Sequence, residues 1–217
     1  MRILFFDTSC EFILVGLYTT NDTEIKEEYF YSGYHPREAS FRLLGDIETA
    51  LKAVTWDKPD LVVCCKGPGS FTGIRISVTT ARNLAQIWNI PVLGLDTIEM
   101  YSSYYANYYS CPAVVTIDGK QKKVFCGYND KEIYKGTYDI FPSEISNVFK
   151  KELSGESINI ISDTDLVSSN YNILFSLPNP IYILKKEIST LKTSNTIDNS
   201  FSKLLPNYMR ETYAHKP

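Results

Sequence analysis

The stretch Gly67-Pro68-Gly69-Ser70-Phe71-Thr72-Gly73-Ile74-Arg75 joins two patterns of different period. Before it runs Leu61-Val62-Val63-Cys64-Cys65, a short apolar segment that reads as a buried strand. After it, Ile74, Val78, Ala81, Ala85 and Trp88 recur on one stripe of a helix running from about Ile74 to Trp88. The order strand, glycine-rich turn, helix puts the loop at the carboxyl end of a strand and the amino end of a helix. Backbone N–H groups at such a helix start have no intrahelical partner. Glycines permit backbone angles and close approaches that a Cβ would block. Pro68 stiffens the turn, and Thr72 is the expected N-cap. A tight structural turn and a phosphate cradle both remain open. The loop is not a Walker loop, because no Lys-Ser or Lys-Thr pair follows the last glycine. Nor is it the dinucleotide fingerprint, because its spacing is G-x-G-x-x-x-G.

Working outward, Ile3 to Phe6 is a continuous apolar run ending in Asp7, and it reads as another buried strand. Phe12–Thr19 and Glu24–Tyr31 follow after short connections, which implies an antiparallel meander. A helix is expected from His35-Pro36, with Leu43, Leu44, Ile47, Ala50, Leu51 and Val54 on its core face. Beyond the loop and its helix, Ile90 to Leu95 is a strand, and Asp96 or Thr97 can cap a helix through about Ala106.

The pattern then restarts. Ala113 to Ile117 is apolar and ends in Asp118, a turn at Gly119-Lys120-Gln121 leads to strands at about Val124–Tyr128 and Ile133–Tyr138, Ser143 is expected to cap a helix through about Lys151, and Ser157–Ile161 is a strand. Beyond it the chain is polar and broken from Ser162 to Asn172, with short apolar runs at Ile173–Leu177 and Ile181–Leu184. Thr190 to Asn199 is expected to be a loop, and Leu204 to Arg210 an ordered terminal element. Both halves share one order: strand ending in an acid, hairpin, strand, strand, helix, strand. The expected architecture is α/β, a duplicated actin-like (ASKHA, ribonuclease H-like) fold with an abbreviated second half. Residues 1–106 form an N-terminal subdomain and 107–217 a C-terminal one.

Composition limits the function. At 217 residues the chain can bury a proper core, and a net charge of −3 with pI near 5.5 argues against a standalone nucleic-acid binder. The lysine clusters Lys120/Lys122/Lys123, Lys150/Lys151 and Lys185/Lys186 read as solvated surface. There are five cysteines without a C-x-x-C pair and only two histidines, His35 and His215, so no zinc site is expected. The amino terminus does not read as a signal peptide, and no apolar run is long enough for a membrane span. A reducing cytoplasm is the expected compartment.

Asp7 and Asp118 are the obvious cleft acids. In an actin-like ATPase such acids hold Mg²⁺ directly or through water; the plainer reading is that each terminates a buried strand and accepts N–H bonds. The first hairpin turn, Thr8-Ser9-Cys10, lacks the glycine that would let backbone approach phosphate. A zincin-like pair would need a second histidine four places after His35, and Ala39 stands there. Cys10 reads as an inert thiol. Tyr101, Tyr104, Tyr105, Tyr108 and Tyr109 read as packing between the halves rather than as a base-stacking platform.

Several segments together resemble the bacterial TsaB (YeaZ) family. They are the opening Ile3-Leu4-Phe5-Phe6-Asp7-Thr8-Ser9, the glycine loop from Lys66 to Ile76, the run Asn89 to Ile98, and the closing Pro206-Asn207-Tyr208-Met209-Arg210. The resemblance is dense over residues 1–100 and sparse beyond. It implies a non-catalytic partner of the transferase TsaD in placing the threonylcarbamoyl group on N6 of adenosine 37 in tRNAs that read ANN codons. The alternative is a superfamily enzyme in its own right, an ATP-dependent phosphotransferase or a peptidase.

The resemblance further implies a homodimer when alone, a heterodimer with TsaD, and TsaE joining through that complex. tRNA is then reached only through the complex. It implies no cofactor of the chain's own, with ATP or ADP as a candidate at the TsaD interface, and no metal. It puts the interface on the helices of about 36–54 and 73–88, which nominates Ile76, Ser77, Thr80, Ala81, Ala85 and Ile87. Ser77, Ala81 and Ala85 are small residues four apart that would let another helix approach. Gly67, Pro68, Gly69, Ser70, Phe71, Thr72, Gly73 and Arg75 are the signature loop and together a candidate anion contact. One departure stands out. The family carries Asp-Ala-Arg and then a Glu in the second hairpin, where this chain has Asp118-Gly119-Lys120 and Lys123. Lys does not replace Arg at a bidentate site.

Overall fold

The computed structural model describes residues 1–21, 24–154, 158–167, 171–172, 178–194 and 201–209. Two five-stranded sheets carry the fold. Strands β1 (Arg2–Asp7), β2 (Phe12–Thr20), β3 (Ile25–Tyr34), β4 (Leu61–Cys65) and β5 (Val92–Leu95) form the first, in the order β3-β2-β1-β4-β5. Strands β6 (Ala113–Asp118), β7 (Val124–Asn129), β8 (Tyr134–Ile140), β9 (Asn159–Ser162) and β10 (Tyr171–Asn172) form the second, in the order β8-β7-β6-β9-β10. The two orders are equivalent. Each sheet has an antiparallel meander on one side of its first strand and parallel partners on the other. Ile3 pairs Leu61 in the first sheet, and Ala113 pairs Asn159 in the second. The duplicated α/β architecture is therefore present, with β10 lying in a stretch that reads as polar and broken.

Alternation along the central strands explains why they are apolar throughout. Ile3 and Phe5 of β1, with Leu61, Val63 and Cys65 of β4, face one core; Leu4 and Phe6, with Val62 and Cys64, face another. A strand buried on both faces has no polar face to show. Helices α1 (Ala39–Ala53) and α2 (Phe71–Trp88) cover the outer face of the first sheet. The inner face meets α3 (Thr97–Tyr108), α5 (Ile181–Ser194) and the second sheet's Ala113, Val115 and Ile117. A short helix α4 (Ile145–Val148) helps close the far side of the second sheet with Ile145 and Phe149.

The two halves interlock. Helix α3 follows the first sheet in sequence but lies on β6 and β7 of the second, whereas α5 reaches back to α3 and β3. Tyr101 and Tyr105 are buried in this shared core, as expected for packing between halves, while Tyr108 is exposed. Polar bonds cross the seam as well. The Thr137 hydroxyl donates to the Asp96 carboxylate at 3.0 Å, and Lys186 pairs with Glu99 at 2.6 Å. Tyr18 donates to Asn179 at 3.1 Å.

Several local expectations need correction. Helix α1 starts at Ala39, not at His35-Pro36: the His35 N–H is spent on the Glu11 carbonyl, and Arg37 takes a positive φ of 67°. Leu44 points to solvent rather than to the core. Ser70, not Thr72, caps α2, accepting from the Gly73 N–H at 3.3 Å. Asp96 caps α3 as expected, accepting from Glu99. The helix expected from Ser143 is broken into Pro142–Glu144, Ile145–Val148 and Glu152–Ser154, with no cap at Ser143. The loop expected over residues 190–199 begins inside α5, and its remainder from 195 lies outside the described residues, as do the apolar run at 173–177 and Arg210.

The largest correction concerns the small-residue stripe of α2. Ser77, Ala81 and Ala85 are buried in the chain's own core and cannot meet a partner helix. They let α2 lie close on the first sheet instead. Replacing Ala81 with Arg should therefore unfold the domain rather than block association. Burying an unpaired charge costs about 3–5 kcal/mol, which a urea denaturation series would register as a large fall in midpoint.

Candidate functional site

Asp7 ends β1 and is buried. Its carboxylate accepts from the Ser9 N–H at 2.8 Å, the Ser9 hydroxyl at 2.9 Å and the Tyr101 hydroxyl at 3.0 Å. Burial raises its pKa, and the bonds from Ser9, Tyr101 and Thr8 oppose that rise. With these donors in place, the acid serves the chain's own hairpin.

The glycine loop closes on the same hairpin. The Ser70 N–H donates to the Ser9 carbonyl at 2.7 Å, and the Thr8 hydroxyl donates to the Gly73 carbonyl at 2.7 Å. A Cβ at Gly69 would collide with the Ser9 carbonyl, and one at Gly73 with the Thr8 carbonyl. Gly67 takes φ +107°, and a Cβ there would sit 2.8 Å from the Asn207 carbonyl oxygen. Its own carbonyl accepts from Thr97 at 2.9 Å, and Lys66 accepts from the Asn207 N–H at 2.7 Å. Of the two readings of the loop, the geometry favours the turn. The close approaches that the glycines permit are to protein backbone, in the place where a phosphate cradle would need room.

The second hairpin is different. Asp118 is partly exposed; it accepts from the Lys120 N–H at 2.7 Å and pairs with the Lys120 ammonium at 2.5 Å. Its own N–H donates to Asp163, at the end of β9, at 2.8 Å. Burial, reinforced by the Asp118 charge, pushes the Asp163 carboxyl up to about 7. The first hairpin lies close enough to the end of β9 that Asp163, together with Asp7, helps burial push up the Cys10 thiol, which keeps it protonated and inert. Lys120, which stands where the family pattern has Arg, is thus tied to its own hairpin's acid. Among the described residues no cluster of His, Cys, Asp and Glu could hold a metal ion. His35 hydrogen-bonds the Tyr31 hydroxyl at 2.7 Å and lies 3.7 Å from Glu38, contacts that anchor a turn.

The outer side of the α1–α2 layer carries a different kind of surface. Phe41 is 87% exposed, Leu44 61% and Ile87 75%. Ile76 and Thr80 of α2 are half-buried. Of the nominated interface residues, Ile76, Thr80 and Ile87 reach the outside, and Phe41 and Leu44 join them. Phe41 could have been found as an apolar residue off the core stripe of α1. Leu44 could not, since its spacing from Ile47 and Leu51 also fits the core. Near the start of α2 the Arg75 Nε donates to the Tyr208 hydroxyl at 2.7 Å, with the guanidinium 4.0 Å from the Phe71 ring centroid. Thr8, Ser9, Tyr101 and Asp163 are further residues of the site that sequence reading passes over. The signal for the first two was their position, small hydroxyl residues directly after the strand-ending acid.

A duplicated α/β fold whose glycine loop sits on a strand-ending acid defines a class, and comparison places the chain within it. The family model described as "TsaD: tRNA N6-adenosine threonylcarbamoyltransferase" matches residues 14–209, and the chain belongs to that family, in its TsaB (YeaZ) branch. The Escherichia coli (strain K12) protein named tRNA threonylcarbamoyladenosine biosynthesis protein TsaB is 27% identical over 168 residues, which cover 74% of this chain and 71% of that protein. The Bacillus subtilis (strain 168) protein of the same name is 36% identical over 101 residues, which cover 46% of this chain and 42% of that protein. The solved structure of YeaZ from Pseudomonas aeruginosa superposes with a TM-score of 0.74 at 18% identity, covering 96% of this chain and 99% of that one, and shows the same fold. No helix among the described residues is long and apolar enough to cross a membrane.

The Asp163 carboxyl yields a pH prediction. Its folded pKa lies above that of an unfolded aspartate, so the folded chain binds this proton more tightly. The resulting stability is present at low pH and is lost as pH rises through the window from about 4 to about 7. Asp163→Asn can still accept the Asp118 N–H and has no such proton. Unfolding free energies from urea series at pH 4 to 8 should therefore fall more steeply for the wild type than for the variant, by on the order of 3–4 kcal/mol over the window.

Proposed function

We propose that this chain is a non-catalytic partner of a TsaD-type transferase in forming the threonylcarbamoyl group on N6 of adenosine 37 in tRNAs that read ANN codons. The names of its relatives place them in this biosynthesis. The observation that carries the non-catalytic part is the seat of the glycine loop. The backbone of Gly69 and Gly73 packs on the carbonyls of Ser9 and Thr8, and Asp7 is occupied by Ser9 and Tyr101. A phosphoryl-transfer site needs room for phosphate and metal beside free acids. The chain keeps the frame of such a site with its interior filled.

Its contribution is then a surface. The apolar outer side of α1 and α2 is the docking face for the transferase, and for a second copy when the transferase is absent. Phe41, Leu44 and Ile87 are large apolar side chains left in solvent on this one helical layer, the kind of surface that partner sites use. TsaE joins through the resulting complex, tRNA is reached only through it, and any ATP or ADP sits at the junction with the transferase. The setting is the cytoplasm.

Reconstitution of tRNA modification from purified components, with and without this chain, tests the role. Modification should depend on the chain. Turnover of ATP by the chain alone would overturn the non-catalytic reading in favour of an enzyme of the same superfamily. For the surface, Leu44→Glu and Ile87→Glu should each weaken association with the transferase by about tenfold or more without lowering the melting temperature, because both side chains are already solvent-exposed. Unchanged elution of the mixed proteins on size exclusion would move the interface elsewhere.

A further inference from the structure

Helix α2 contains no Asp or Glu between Phe71 and Trp88, although acids outnumber bases 25 to 22 in the chain. Its only charged residues are Arg75 and Arg82. Seven residues apart, they fall on one stripe of the helix, separated by about 10 Å along its axis. Arg75 is exposed and Arg82 half-buried. Among the described residues neither guanidinium has a carboxylate within ion-pair distance, whereas Arg2 and Arg42 both do.

Arg75 is also held in place. Its Nε edge is occupied by the Tyr208 hydroxyl at 2.7 Å, and one face lies over the Phe71 ring at 4.0 Å. The Phe71 and Tyr208 rings stand 5.0 Å apart and fix each other. Tyr208 itself comes from the terminal segment that Asn207 ties to Lys66. Among the described residues nothing hydrogen-bonds the edge formed by the two terminal nitrogens. That fork matches the two oxygens of a carboxylate, and a fork already oriented loses little freedom on binding.

We propose that Arg75 and Arg82 form an acid-reading stripe that makes the α1–α2 face select an acidic partner chain over a second copy of this chain. The occupant is the transferase of the preceding section, on whose docking this inference rests, and it presents a carboxylate to Arg75. Two arginines two turns apart on one helix, about 10 Å along the axis, suit a protein surface that places a carboxylate at each. A second copy fits less well. In a two-fold pairing the same patch meets itself, so α2 set against α2 brings arginines together, and the α1 acids Asp46 and Glu48 are already paired with Arg42 and Lys52 of their own helix. That repulsion is the selective element.

Sedimentation velocity tests this on the full chain, alone and mixed with its transferase, at low and high salt. The wild type should bind the transferase with an affinity that falls as salt rises. Arg75→Glu and Arg82→Glu should each weaken that complex about tenfold or more, while self-association stays the same or strengthens. Arg75→Lys keeps the charge but not the fork, and should also weaken it. Near-UV circular dichroism should be unchanged in all three. Wild-type strength in the Glu variants, or equal loss in both associations, would overturn the stripe and leave the partner role standing. Failure of the wild type to bind the transferase would overturn both.

Discussion

Position 73 faces the carbonyl oxygen of Thr8, and no side chain fits between them. Much else depends on that contact. It holds the first turn of α2 against the β1–β2 hairpin, where Ser70 caps the helix and donates its own N–H to Ser9. It leaves Gly67 in a left-handed conformation from which its carbonyl reaches the start of α3. The terminal segment then docks on the same loop through Asn207. Four remote parts of the chain meet within a few residues: the first hairpin, α2, α3 and the carboxyl-terminal strap. The loop is a junction, and its glycines are spent on backbone-to-backbone approaches.

The second organising feature is the exchange of helices across the seam. Because α3 lies on the second sheet and α5 against β3, neither half encloses its inner core alone. Asp96, Thr137, Glu99, Lys186, Tyr18 and Asn179 add polar ties across that seam. Together with the filled first hairpin, these ties brace the two sheets against each other. On the docking proposed above for the outer side of α1 and α2, such a frame presents its contact side chains at little cost in ordering.

Much of this was legible in the sequence. The central strands announce themselves as unbroken apolar runs because they are buried on both sides, and the restart at Ala113 reveals the duplication. Asp96 is recognisable as a cap and the tyrosines of α3 as packing. The failures share a cause. On α2, small residues at helical spacing fit equally a helix lying on its own sheet and a helix meeting a stranger, and sequence does not say which side a stripe faces. On α1, Leu44 sits at core spacing yet lies outside, because Leu43, Ile47 and Ala50 centre the buried stripe and Leu44 falls about 100° round from Leu43, at its edge. At Ser143 a plausible cap precedes no continuous helix.

By itself the sequence determined the class of fold, its duplication, the position of the glycine loop, and the small number of histidines. Each follows from local periodicity, residue type or count. Only the tertiary structure decided what the glycines touch, which stripe of α2 is outside, that Asp7 is satisfied by Ser9 and Tyr101, and that Asp163 joins Asp118. The Ser9 bonds to Asp7 are a local turn, whereas Tyr101 reaches Asp7 across 94 positions and does so only because α3 stacks against the first sheet.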